Sequence, residues 1–319
     1  MLGRKDLKPS IVVTDKTVEC PVQGCVEKVA RQRLKFRRDE KFKCPQHNIY
    51  ISPSTFEYQQ ETDNLLWIDH SDLNLLNQIK DVKRESRMVR DNSEDAVSWN
   101  VFRFLERNQL IESVLSSLIR FPLNSPEIIY WSYNQQEQSS WWELNKARIE
   151  FGERIARGSE PDIIIRTQKA LLFIEAKVTA TNETVPSDKT NSKRYETGGN
   201  NWFSEVFQSD YKTIAIDNQK YELLRFWLLG TWLANQLNLD FYLLNLVLAE
   251  REKNIELIFR RHIQEKQGRR FMRITWEDIY HQMLNSDFPE TDKAKMINYF
   301  RNKTIGYNSD RRLQRAFSV

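Results

Sequence analysis

The stretch SEPDIIIRTQKALLFIEAKV, residues 159–178, decides the fold. Pro161 opens a strand over 162–167, Gln168 and Lys169 make a two-residue turn, and 170–178 returns. Ile163, Ile164, Ile165, Leu171, Leu172, Phe173 and Ile174 make both strands nearly continuous apolar runs. Strands in the middle of a sheet covered on both faces read this way. Side chains alternate with a period of two, so Glu175 and Lys177 project from one face, about 7 Å apart along the strand. A hairpin closed at 168–169 also brings Asp162 to that end. Three ionisable groups therefore converge on an apolar frame. An ordinary ion pair at a solvated strand end is the simpler alternative, but Ala176 and Val178 continue the apolar run past the charges. Burying such groups without partners costs on the order of several kcal/mol each. A divalent cation removes that objection. Two carboxylates and a backbone carbonyl are the hard oxygen donors that magnesium takes. A neighbouring ammonium would orient a water or steady charge developing on a phosphate.

The surrounding text supplies the rest of a layered fold. Asn92 and Ser93 offer an N-cap for a helix from Glu94 to Arg107. The stretch 218–238 is apolar almost all round and reads as a helix buried against a sheet; within it Arg225 needs an acid or a phosphate as acceptor. DFYLLNLVLAE, 240–250, reads as another interior strand, and Thr275 as the N-cap of a further helix. Residues 179–202 form a long polar stretch carrying Lys189, Lys193 and Arg194, read either as a loop able to clamp a nucleic-acid backbone or as a merely disordered loop. Gln208 is read either as a polar residue facing the site or, more ordinarily, as a helix-surface glutamine. The expected class is α/β (α+β), a mixed central β-sheet flanked by helices, with a small N-terminal zinc-binding module.

Pro161, Asp162, Glu175, Ala176 and Lys177 together resemble the PD-(D/E)XK motif of the restriction-endonuclease-like nuclease superfamily. The motif is short, and the resemblance spans roughly residues 93–250. It implies a restriction-endonuclease-like core in which Asp162 and Glu175 bind Mg2+ (or Mn2+), Ala176 adds its backbone carbonyl, and Lys177 assists the attacking water. Members of this superfamily often add an acid from the first core helix; here Glu94 is preferred over Asp95, although acids in a first helical turn are favoured by the helix dipole anyway. Glu143, Glu150, Glu153 and Glu160 are further acids able to substitute. The resemblance implies a metal-dependent DNA endonuclease of restriction or phage defence, acting as a homodimer or with a defence-complex partner. A non-catalytic nucleic-acid-binding protein of the same fold, or the nuclease subunit of a repair or transposition complex, are the alternatives.

The three cysteines all fall within the first 44 residues. Cys20, Cys25, Cys44 and His47 form a C-x4-C and C-x2-H pattern, two knuckles able to supply four zinc ligands in pairs. An odd count of cysteines also argues against disulfides. Between the knuckles, Arg31, Arg33, Lys35, Arg37 and Arg38 make a cationic run, read either as a phosphate-contacting face or as an ordinary solvated one. The expected division is a zinc-ribbon-like module at 1–60, a helical connector at 61–92 and a nuclease domain at 93–319. The 319 residues are ample for a large core, and the formal net charge of +4 gives no overall bias toward polyanions. The N-terminus lacks the apolar run of a signal peptide, and the most apolar stretch, 221–237, is short and interrupted by Glu222 and Arg225. A cytoplasmic protein without membrane partners is expected.

Overall fold

The computed structural model describes residues 6–83, 85–188, 192–287 and 289–319; Lys189, assigned above to the polar loop, lies outside them. In chain order the elements begin with β1 (Thr17–Glu19), β2 (Lys28–Ala30), β3 (Tyr50–Ile51), β4 (Phe56–Glu57), α1 (His70–Val82), α2 (Glu94–Arg107) and α3 (Ile111–Ile119). There follow β5 (Glu127–Tyr130), β6 (Tyr133–Asn134), β7 (Ser139–Ser140), α4 (Trp142–Glu150), β8 (Ile163–Arg166) and β9 (Ala170–Ala176). The chain continues through α5 (Ser192–Val206), α6 (Tyr221–Leu237), β10 (Asp240–Val247), α7 (Ile255–Arg260) and β11 (Arg269–Thr275). It closes with α8 (Trp276–Leu284), α9 (Glu290–Asn302), β12 (Thr304–Tyr307) and β13 (Leu313–Arg315).

The chain divides into two compact units. One gathers residues 1–70, 87–108 and 284–319, and the other residues 71–86 and 109–283. The expected stretches 1–60, 61–92 and 93–319 run across this division. Among other things, α2 and the C-terminal hairpin β12–β13 belong with the N-terminal residues. The reason is a shared core: Leu7, Val18, Cys20, Ile51 and Phe56 pack together with Tyr307. Backbone bonds join the two ends of the chain, Ile11 N–H donating to Arg311 O and Leu313 N–H to Pro9 O. Lys303 lies buried beside Asp91 at 3.6 Å and donates to Asn64 Oδ1 at 3.0 Å.

The second unit is built on a seven-stranded mixed sheet in the order β11-β10-β9-β8-β5-β6-β7, flanked by helices. β9, β10 and β11 run parallel, whereas β8 is antiparallel to both β9 and β5. The hairpin pairs Ile163 with Ile174 and Arg166 with Leu171, and Thr167 N–H donates to Ala170 O. The turn thus sits at Gln168 and Lys169, as the sequence implies. Both faces are buried because β9 has no polar residue before Glu175. On one face Ile164, Leu171, Phe173, Phe241, Leu243 and Phe271 pack with Leu224, Trp227 and Leu228 of α6. Gly230 lets α6 lie close: a Cβ there would meet the Phe241 ring at 2.1 Å. α8 starts at a reciprocal cap, Asp278 N–H donating to Thr275 Oγ1 and Thr275 N–H to Asp278 Oδ2, both at 2.9 Å.

Residues 179–202 are not one long loop. Helix α5 begins at Ser192 and is broken by left-handed backbone at Gly199, Asn200 and Asn201. Before it, Thr184 is pinned to the start of α6: Tyr221 N–H donates to Thr184 O and Glu222 N–H to Thr184 Oγ1. Among the described residues no helix is long and apolar enough to cross a membrane.

Candidate functional site

The site grows from the alternation of β9. Glu175 continues the face of Leu171 and Phe173 that α6 covers, and its register partner on β10 is the buried Asn245. Asp162 immediately precedes β8, so the hairpin register carries it to the same end. Its carboxylate accepts from Trp131 Nε1 at 3.0 Å and from the Ala176 backbone N–H at 2.8 Å. In a strand the N–H and C=O of one residue project to the same edge, so the Ala176 carbonyl lies on the side of Asp162. Lys177 donates to the Glu175 carboxylate through a very short contact and to Glu222 Oε2 at 2.9 Å. Asp162, Glu175 and Lys177 are therefore brought together, and a fourth group joins them.

That fourth group, Glu222 in the first turn of α6, was not singled out for the site in the sequence. It reads there as an ordinary helix-start acid; the available signal was a carboxylate interrupting an otherwise apolar stretch beside Arg225. Glu94 is the first residue of α2 in the first unit, whose N-cap Ser93 accepts from Ala96 N–H through its Oγ. Asp95 accepts from Arg87 N–H in that unit. Lys177 pairs with Glu175 and Glu222 within the second unit.

The electrostatics follow from one ammonium among three carboxylates. Burial raises the Glu175 pKa well above 4.5, and the Glu222 and Asp162 charges push it further, against the pull of Lys177. Burial works against the Lys177 charge, but Glu175, Glu222 and Asp162 outweigh it and raise its pKa well above 10.5. These effects favour the ammonium form of Lys177 and a proton on Glu175. The side chains are 5% exposed at Glu175, 11% at Lys177 and 30% at Glu222, so the cluster opens to solvent on the Glu222 side. The donor set is all oxygen, which suits Mg2+ or Mn2+. Among the described residues, the group of His, Cys and acidic side chains gathered closely enough to hold a metal ion is Cys20, Cys25, Cys44 and His47 of the first unit. In the hairpin cluster the Lys177 ammonium offsets the Glu175 and Glu222 carboxyl groups.

The other residues expected near the site have different partners. Glu143 pairs with Lys146, Glu150 Oε1 accepts from Gly199 N–H, and Glu160 lies 3.9 Å from Lys83. Glu153 is the acceptor that Arg225 required, at 2.8 Å, and also accepts from Ser159 and Tyr195. Burial opposes its charge, but Arg225 and the Ser159 donors hold its pKa below 4.5. Gln208 does not face the cluster: its side chain donates to Arg260 O and Ile263 O. Arg194 donates to Gly152 O and Tyr195 Oη, so it braces α5 against the end of α4.

In the first unit, Cys20, Cys25, Cys44 and His47 bring one ligand atom each to within 4.8 Å of the others. A tetrahedral zinc, with bonds of about 2.3 Å to sulfur and 2.05 Å to nitrogen, places S···S near 3.8 Å and S···N near 3.6 Å. Cys25 Sγ and Cys44 Sγ are 3.8 Å apart, and His47 Nδ1 lies 3.7 and 3.6 Å from Cys20 Sγ and Cys44 Sγ. The cluster fits the expected ligand set and can hold a structural metal such as zinc. It sits on two turns, each closed by a backbone bond: Cys25 N–H donates to Val22 O, and Asn48 N–H to Cys44 O.

No family model matches this chain, and no curated protein or solved structure matches it.

Proposed function

We propose that the second unit is a Mg2+- or Mn2+-dependent DNA endonuclease of the restriction-endonuclease-like kind, and that the first unit carries a structural zinc. The observation that carries the reading is the convergence of Asp162, Glu175 and Lys177 at the end of one buried hairpin, with Glu222 beside them. Asp162 and Glu175, with the Ala176 carbonyl, would hold the divalent ion, which supplies charge stabilisation for phosphodiester hydrolysis. Asp162 is oriented for this by Trp131 and the Ala176 amide. Lys177, permanently an ammonium, moves from Glu175 toward the scissile phosphate or the attacking water and stays tethered by Glu222. Glu175 would release its proton to solvent and provide the second carboxylate. A role in restriction or phage defence is part of the proposal and rests on the motif's resemblance alone.

One feature favours the second reading, a nucleic-acid-binding protein without catalysis. Lys177 already satisfies two carboxylates, as in a structural ion-pair network. Digestion of supercoiled plasmid, linear duplex, single strands and RNA with Mg2+ or Mn2+ separates the two. The nuclease reading predicts cleavage of DNA by the wild type and none by Asp162→Ala or Lys177→Ala. A wild type inert on all four, or a Lys177→Ala variant that cuts as well, leaves the binding reading.

A further inference from the structure

The first unit contains a cleft of about 490 Å³ whose walls are cationic. Arg31, Arg33, Lys35 and Arg90 line it together with Phe36, and residues 52–55 and 92 add hydroxyl and amide groups; none of the lining residues is acidic. Two of the guanidiniums are held in place from behind. Arg31 donates to Thr14 O at 3.3 Å and Arg33 to Asp15 O at 2.8 Å, with the exposed Asp15 carboxylate 3.7 and 3.9 Å away. Arg90 is fixed by Glu57 at 3.0 Å and lies 6.0 Å from the centre of the Phe36 ring. Two buried polar atoms on the lining residues, Arg31 Nε and Thr55 Oγ1, have no hydrogen-bond partner. Fixed cations, hydroxyl-bearing residues and an aromatic ring thus line one cleft.

The volume falls in the range of sites that enclose small molecules, roughly 300–1,000 Å³, and exceeds what a bare phosphate needs. Cations that track a backbone, combined with an aromatic surface for stacking, are the chemistry that binds single-stranded nucleic acid. We propose that this cleft holds a nucleotide of a single nucleic-acid strand, its phosphates on Arg33 and Lys35 and its base on Phe36. The inference rests on the proposed function only in taking nucleic acid as the ligand. It assigns the first unit a strand-holding site of its own, apart from the zinc cluster.

The test is fluorescence anisotropy of the full chain with a labelled single strand of about 15 nucleotides, within the span that a single-strand-binding domain covers. Divalent cations are left out, so binding is read apart from cleavage. The double variant Arg33→Ala, Lys35→Ala weakens binding by about tenfold or more. It also flattens the dependence of log affinity on log salt by about 1.4, at roughly 0.7 per phosphate contact. Phe36→Leu weakens binding by about fivefold or more and leaves the salt dependence unchanged. Zinc content, measured on each variant, stays at the wild-type level. Unchanged affinity in the double variant overturns the inference, and so does loss on the cation changes with none on Phe36→Leu. A duplex bound as tightly as the single strand through the same residues also overturns it, since a duplex offers no free base. A protein that holds the strand through this cleft yet cuts nothing supports the inference and removes the nuclease. One that cuts DNA but is indifferent to the cleft variants does the reverse.

Discussion

Glu175→Gln tests the electrostatics of the hairpin cluster without disturbing its shape. In the wild type, burial and the Glu222 and Asp162 charges raise the folded-state pKa of Glu175 well above its ordinary 4.5. The folded protein therefore binds a proton that the unfolded chain has released. A carboxyl with a raised folded value costs nothing below pH 4.5 and destabilises progressively as pH rises toward that value. The slope is 2.303RT, about 1.4 kcal/mol per pH unit, through the window between the two values. Glutamine cannot titrate, so the variant lacks this term. Lys177 keeps a carboxylate partner in the variant, because Glu222 lies 2.9 Å away. Urea unfolding of both proteins at half-unit steps from pH 4.5 upward, followed by tryptophan fluorescence, gives the difference curve. The wild type should lose stability relative to the variant at close to that slope, and the difference should level off above the folded pKa. Parallel curves over the whole range would refute a buried, proton-holding Glu175.

Three further outcomes follow from the packing and the zinc cluster. Metal analysis of purified protein should return about one equivalent of zinc, lost in Cys44→Ser, and a chelator should destabilise the first unit. Arg225→Met leaves Glu153 charged and buried and should cost roughly 3–5 kcal/mol in denaturant unfolding. Because Glu153 has a lowered pKa, the wild-type contribution is present above pH 4.5 and fades as pH falls through the folded value, so the two proteins should converge in acid. Gly230→Ala pushes a methyl to 2.1 and 2.3 Å from Phe241 and 3.1 Å from Phe173, and should destabilise by about 1–3 kcal/mol or more in the same assay.

Local patterns in the sequence carried far in this chain. The period-two alternation and the two-residue turn located β8 and β9 and the meeting of Asp162, Glu175 and Lys177. Cap chemistry located α2 at Ser93 and α8 at Thr275. Spacing alone paired the cysteines with His47. What the sequence hid is what depends on distant packing. Glu222 sits 45 residues from Lys177, and only the parallel crossover through α5 and α6 brings a helix start over the end of β9. The need of Arg225 for an acceptor was legible, but the choice of Glu153, 72 residues away, was not. The first unit draws on three separate segments, because apolar residues at both chain ends share one core, and a linear division into modules has no means of expressing that. The polar stretch 179–202 read as one loop because Ser, Lys, Asn and Gly weaken helix propensity. In the structure Arg194 and Tyr195 anchor part of it as helix through Gly152 and Glu153.

The central claim, that Asp162 and Glu175 form a divalent-metal site, is tested most directly by electron paramagnetic resonance of free Mn2+ during titration into the protein. The wild type should remove free-ion signal to saturation, and Asp162→Asn and Glu175→Gln should each leave it undiminished. A wild type that leaves the signal unchanged, or variants that bind Mn2+ as well as it does, would contradict the account.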